Sequence, residues 1–384
     1  MFSDVFGKIR SSWDFAMAVK SVFLIVYAIL LGNVSYEVFL YVFSNHWNAI
    51  NAQNLGIINS SSAMYGLKRK YLWLQRILPS YEISFIARLI GRSYSSAGYI
   101  FYRILFCLIS VASLLLVYVT QGCQRRTAPV VALFVITNTG IICSGYWLQA
   151  FDLQTELFTL VLFTVFLSEW PRAVVLIVGG ILFSLWQFSF EEALYVPLIY
   201  LIEEFLRLSK SSGGFKPFVG ASSVLLSKRG LAWVFAIIAS LWITAATRAY
   251  MSRFFLYTQL KRPDHPLLSE GSFLVSNLGK IVEQLRIIFH PLWTLSSGYW
   301  WIQGDGIYIV LFLAFISLIA TNCMRLSAKY ASIVVFTGLE FIITLFFTNL
   351  SQEDAFLPLI ASLLALVVYE KKVRLIEPYD RKAA

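Results

Sequence analysis

The chain has 384 residues, 58% of them apolar and only 14% charged, with a mean hydropathy of +0.71. A soluble chain carries roughly 45–50% apolar and about 25% charged residues, so a water-soluble globular protein is excluded and an all-α polytopic membrane protein is expected. The formal charge of +10 then belongs to loops on the cytoplasmic side of a membrane and not to a nucleic-acid partner.

Crossing the hydrocarbon takes ~20 mostly apolar residues. In chain order the apolar runs predict spans near 21–42, 99–121, 128–145, 155–169, 173–188, 192–206, 231–249, 306–321, 330–349 and 355–369, about ten transmembrane helices forming a single domain over 1–384. The fourth, fifth and sixth are short enough to be half-length or broken. The first run has acidic residues before it and no small-residue cleavage site after it, so it reads as a retained helix and not a signal peptide.

Orientation follows from Lys and Arg in the connections. One side collects Lys8, Arg10, Lys20, Arg125, Arg126, Arg172, the basic stretch 207–230, Arg325, Lys329 and the basic tail 370–384. The loops near 146–154, 189–191 and 350–354 carry no Lys or Arg. Both termini are therefore expected in the cytoplasm of a multi-pass protein of the bacterial inner membrane. Two long loops, 43–98 and 250–305, face outward. In the first, the segment 68–90 interleaves Lys68, Arg69, Lys70 and Arg76 with Tyr71, Leu72, Trp73, Leu74 and Ile77 and predicts an amphipathic helix on the outer surface. In the second, Tyr299, Trp300 and Trp301 suit an interfacial aromatic belt.

Once sides are assigned, the carboxylates sort by side. Asp152 with Glu156, Glu191 with Glu192, and Glu353 with Asp354 place three acidic pairs at the outer face. Acidic outer loops follow from the exclusion of Lys and Arg, but carboxylates this close to hydrocarbon also line polar cavities as bases or metal ligands. Oxygen donors of this kind suit Mg or Mn, although no spacing demands a cation. Cys107, Cys123, Cys143 and Cys323 form no CxxC and read as small buried hydrophobes. Glu340 falls near the middle of the ninth predicted span and is an ionisable residue at membrane depth. No P-loop, HExxH, GxSxG or placed GxGxxG is present.

Two of the acidic pairs run directly into an apolar segment with proline, Glu191-Glu192-Ala193-Leu194-Tyr195-Val196-Pro197 and Glu353-Asp354-Ala355-Phe356-Leu357-Pro358. The first outer loop carries Pro79-Ser80-Tyr81-Glu82, then Ile86-Ala87-Arg88-Leu89-Ile90-Gly91-Arg92-Ser93, then Tyr102-Arg103 leading into a long apolar run. These features resemble the membrane glycosyltransferases of the GT-C class, which use polyprenyl-phosphate sugars outside the cytoplasmic leaflet. The resemblance implies a GT-C-like fold and transfer of a sugar from a polyprenyl-phosphate donor to a glycan, lipid or protein acceptor. Members of that class usually place an acidic residue just after the first span, whereas this chain has Ser44-Asn45-His46-Trp47-Asn48 there and no carboxylate until Glu82.

Glycosyl transfer needs a base for the acceptor hydroxyl, cations for the departing lipid phosphate and a groove open to the bilayer. Candidate bases are Glu37, Asp152, Glu156, Glu191 and Glu192; Glu37 reaches the outer face only if the first span ends early. Candidate substrate-binding groups are His46, Arg88, Arg92, Arg103, Arg248, Lys261, Arg262, His265, Glu353 and Asp354, with Arg suited to phosphate oxygens. Arg88 and Arg92 equally suit lipid headgroups. A polysaccharide polymerase, a transporter or flippase, and a non-catalytic membrane subunit are the other classes the pattern admits.

Overall fold

The computed structural model describes residues 15–43, 78–121, 127–144, 150–187, 191–210, 223–224, 227–254, 328–347 and 365. Among them there is no strand; every regular element is helical. The helices are α1 (Phe15–Phe43), α2 (Leu78–Ile90), α3 (Tyr94–Gln121), α4 (Thr127–Ser144), α5 (Ala150–Leu167), α6 (Arg172–Trp186), α7 (Tyr195–Lys210), α8 (Lys228–Phe254) and α9 (Ala328–Phe347), with a 3-10 turn at Glu191–Leu194 before α7. Within α1 and α3 the segments Val19–Val42 and Tyr94–Thr120 are long and apolar enough to cross a membrane.

Local chemistry explains several of the boundaries. Pro79 sits in the first turn of α2, where a missing N–H costs nothing. The helix ends in a Schellman motif: Gly91 takes a left-handed φ of 61°, Arg92 N–H reaches the Ala87 carbonyl at 3.1 Å and Gly91 N–H the Arg88 carbonyl at 3.4 Å. Ser93 then caps α3, its Oγ accepting from Ser96 N–H at 3.3 Å. Ser227 does the same for α8, accepting from Gly230 N–H at 2.9 Å.

The central layer is α3, which packs on α1, α2, α4 and α5; α7 packs on α8 and α9, and α6 joins the two groups through contacts with α5 and α7. Aromatic rings fill the seams. Phe39 of α1 stacks on Tyr102 of α3 at 5.5 Å, Phe163 of α5 meets Phe336 of α9 at 5.7 Å, and Tyr200 of α7 stacks on Trp233 of α8 at 4.7 Å. The other side of α1 is an exposed apolar face that includes Phe23, Val26, Leu30 and Val34. An apolar face of that extent calls for a lipid or protein cover.

Several boundaries differ from those read off the sequence. Helix α1 continues to Phe43, one residue past the predicted end of the first span, so Glu37 lies within the helix. Of the amphipathic segment predicted over 68–90, α2 accounts for 78–90 and 68–77 lies outside the described residues. Helix α3 takes the last five residues of the predicted first loop, and α5 starts at Ala150, so Asp152 lies in its first turn and not in a loop. Helix α7 runs to Lys210 and α8 begins at Lys228, which draws both ends of the stretch 207–230 into helix. Arg248 likewise lies within α8, which continues to Phe254 beyond the predicted end of the span. In these cases polar residues that end the apolar run still occupy terminal helical turns, so hydropathy falls before the helix ends.

Candidate functional site

The first two turns of α5 are a polar hub. Asp152, Gln154, Thr155 and Glu156 are all buried there, with Glu156 fully so. Adjacent side chains on a helix diverge by about 100°, and here the consecutive Gln154, Thr155 and Glu156 each reach a different helix. Gln154 donates its side-chain N–H to Glu82 of α2. Asn138 of α4 donates its amide N–H to Glu156. Trp186 of α6 directs its indole N–H toward the Thr155 hydroxyl at 3.4 Å. Beside the hub, Thr139 of α4 donates to Ser35 of α1 at 2.7 Å.

Glu82 is the member that sequence reasoning missed. The buried positions of α2 are Pro79 and Ile83, with Glu82, Ile86 and Ala87 half-buried, while Tyr81, Phe85, Arg88 and Leu89 are exposed. That three-and-four spacing was available as a signal, since it places Glu82 on the face that turns inward. Burial pushes its carboxyl up to about 7 from the ordinary 4.5, against the opposing pull of the Gln154 hydrogen bond. A carboxyl poised near neutrality and half-open to solvent is suited to proton transfer.

Glu156 is in a different position. One oxygen accepts from Asn138; the other is buried without a hydrogen-bond partner. A buried carboxyl with half its acceptor capacity unused is a costly feature to retain in a helix bundle.

The structure brings together only part of the predicted set. Asp152 and Glu156 join Glu82 at one end of the bundle. Glu37 and Arg103 lie apart, on the seam between α1 and α3: Arg103 Nε donates to Asn33 Oδ1 at 2.6 Å and its guanidinium sits 5.8 Å from the centre of the Tyr36 ring. Arg88 and Arg92 are exposed at the end of α2, and the helix ends between them. Glu191 and Glu192 form the 3-10 turn that leads into α7, and Arg248 and Glu340 lie in α8 and α9. His46, Lys261, Arg262, His265, Glu353 and Asp354 lie outside the described residues. Among the described residues no group of three or more His, Cys, Asp or Glu side chains is placed to hold a metal ion. Comparison with protein-family models, with curated proteins and with solved structures finds no match to this chain.

Proposed function

We propose that the chain is a multi-pass glycosyltransferase that works outside the cytoplasmic leaflet, moving a sugar from a polyprenyl-phosphate donor to a glycan, lipid or protein acceptor, with Glu82 as the general base. The observation that supports this reading is the pairing of Glu82 with Gln154 beside the buried Asp152 and Glu156. In the reaction the acceptor hydroxyl oxygen bonds to the anomeric carbon as the bond from that carbon to the phosphate oxygen breaks. The hydroxyl proton passes to Glu82, and the phosphate leaves with its polyprenyl chain. Phosphate is a good leaving group, so the chemistry asks for a base and for cations near the departing charge. Arg88 and Arg92, exposed at the end of the helix that carries Glu82, supply those cations.

The test uses the full chain in liposomes with a panel of polyprenyl-phosphate hexoses, reading free polyprenyl phosphate by mass spectrometry. The wild type should release it, and E82Q should slow release by roughly 10²–10⁴-fold, the range for losing a general base. Release that is equally fast in E82Q removes Glu82 from the role. No release from any donor, with or without added Mg or Mn and candidate acceptors, removes the transferase reading.

A further inference from the structure

One face of α1 carries Leu30, Asn33, Val34, Glu37, Val38 and Tyr41, spaced three and four apart, and these residues line an open groove. Its apolar members are well exposed, from 43% at Val38 to 86% at Tyr41. Two ionisable groups meet this surface. Glu37 is exposed in the groove, and the exposed Arg103 is tied to its lower part through Asn33. They form no ion pair with each other among the described residues, and Arg103 spends only its Nε on Asn33, leaving both terminal nitrogens to donate.

The two charges lie about one helical turn apart. Glu37 and Asn33, the anchor of Arg103, are four positions, or about 6 Å, apart along α1. An ethanolamine headgroup, whose primary ammonium stands two carbons beyond its phosphate, spans a comparable distance.

We infer that this groove binds a zwitterionic phospholipid with a primary ammonium headgroup: phosphate on Arg103, ammonium on Glu37, and an acyl chain along Val34, Leu30 and Val26. Charge complementarity selects this occupant. An anionic glycerol headgroup offers Glu37 only neutral hydroxyls, a polyprenyl phosphate bound at Arg103 offers it no cation, and a trimethylated ammonium cannot donate a hydrogen bond to the carboxylate. The inference rests on α1 and α3 crossing a bilayer and is independent of the transferase reading.

The full chain is reconstituted in nanodiscs of equal phosphatidylethanolamine, phosphatidylcholine and phosphatidylglycerol, extracted gently, and its retained lipid counted by native mass spectrometry. Wild type should retain phosphatidylethanolamine over each of the others by about fivefold, the scale of a single exposed ion pair. E37Q should lose that preference in favour of phosphatidylglycerol, and R103Q should retain none of the three selectively. G180A, where an added Cβ meets nothing within 4 Å and Glu37, Arg103 and the proposed base stay in place, should retain lipid as wild type does. Equal retention of the three lipids by wild type, or an unchanged preference in E37Q, overturns the inference; E37Q alone decides if R103Q fails to fold.

Discussion

At the scale of single residues, the half-buried Glu82 and the fully buried Glu156 of the hub make different demands. The Glu82 carboxyl, raised to about 7, binds its proton more tightly in the folded protein than in the unfolded chain. Its contribution to stability is therefore complete below the ordinary value of 4.5 and is lost as pH rises through 7. Wild type should accordingly melt at a lower temperature at pH 8 than at pH 5, and E82Q should flatten that slope; parallel slopes in detergent melts would show that Glu82 is not held in this environment. Among the described residues, Asn138 provides the one hydrogen bond that Glu156 accepts. N138L should destabilise by about 1–3 kcal/mol, the cost of leaving a buried polar group unsatisfied, and N138L/E156L should recover most of it. If the double variant is no better than the single one, the pair is not the reason for the loss. The sequence names Asp152 and Glu156 readily because each carboxylate interrupts an apolar run. Glu82 escaped for the complementary reason: it stands in a mixed polar and apolar segment, and only the inward face of α2 distinguishes it from Glu residues that face water.

Among elements, the seam between α1 and α3 depends on closeness. A Cβ added at Gly32 would lie 2.6 Å from the Cys107 Cα and 2.8 Å from the Phe106 carbonyl oxygen, both backbone atoms that cannot swing aside. Small residues at such crossings let helix backbones approach where no hydrophobic effect drives them together. G32A should therefore cost about 1–3 kcal/mol, as for overpacking a tight core, while G180A, where an added Cβ meets nothing within 4 Å, should be neutral or slightly stabilising through helix propensity. Thermal melts of both variants in the same detergent check this, and equal midpoints would mean that α1 and α3 are not in contact at Gly32. Hydropathy locates these helices because lipid-facing and buried residues are alike apolar. It does not say which face meets a neighbour: Gly32 and Ser35 are buried on α1 while Val34 is exposed, and the difference comes from packing that no window average contains.

Across the whole molecule, the contacts sort the helix termini into two ends. Toward one, Tyr27 near the middle of α1 donates to the Ala128 carbonyl at the start of α4 at 3.4 Å, and Lys329 donates to the Ser168 carbonyl at 3.4 Å, joining α9 to the end of α5. At the other, Glu82, Gln154, Thr155 and Trp186 join α2, α5 and α6. Successive helices from α3 to α6 therefore alternate in direction, the pattern that successive membrane spans would show. On the orientation expected from Lys and Arg, which puts Lys329 and Arg172 at the cytoplasmic end, the carboxylate hub would face outward. Thiol labelling separates the fold from its orientation. With the four native cysteines replaced, R92C lies beside the hub and W170C at the exposed connection between α5 and α6. An impermeant maleimide applied to spheroplasts should label R92C at once and W170C only after detergent. The reverse pattern would keep the bundle and turn it over, placing the hub in the cytoplasm and removing the extracytoplasmic step from the proposed reaction. Labelling of both from the same side would mean that α3, α4 and α5 do not all cross the membrane, since three crossings would put the two positions on opposite faces.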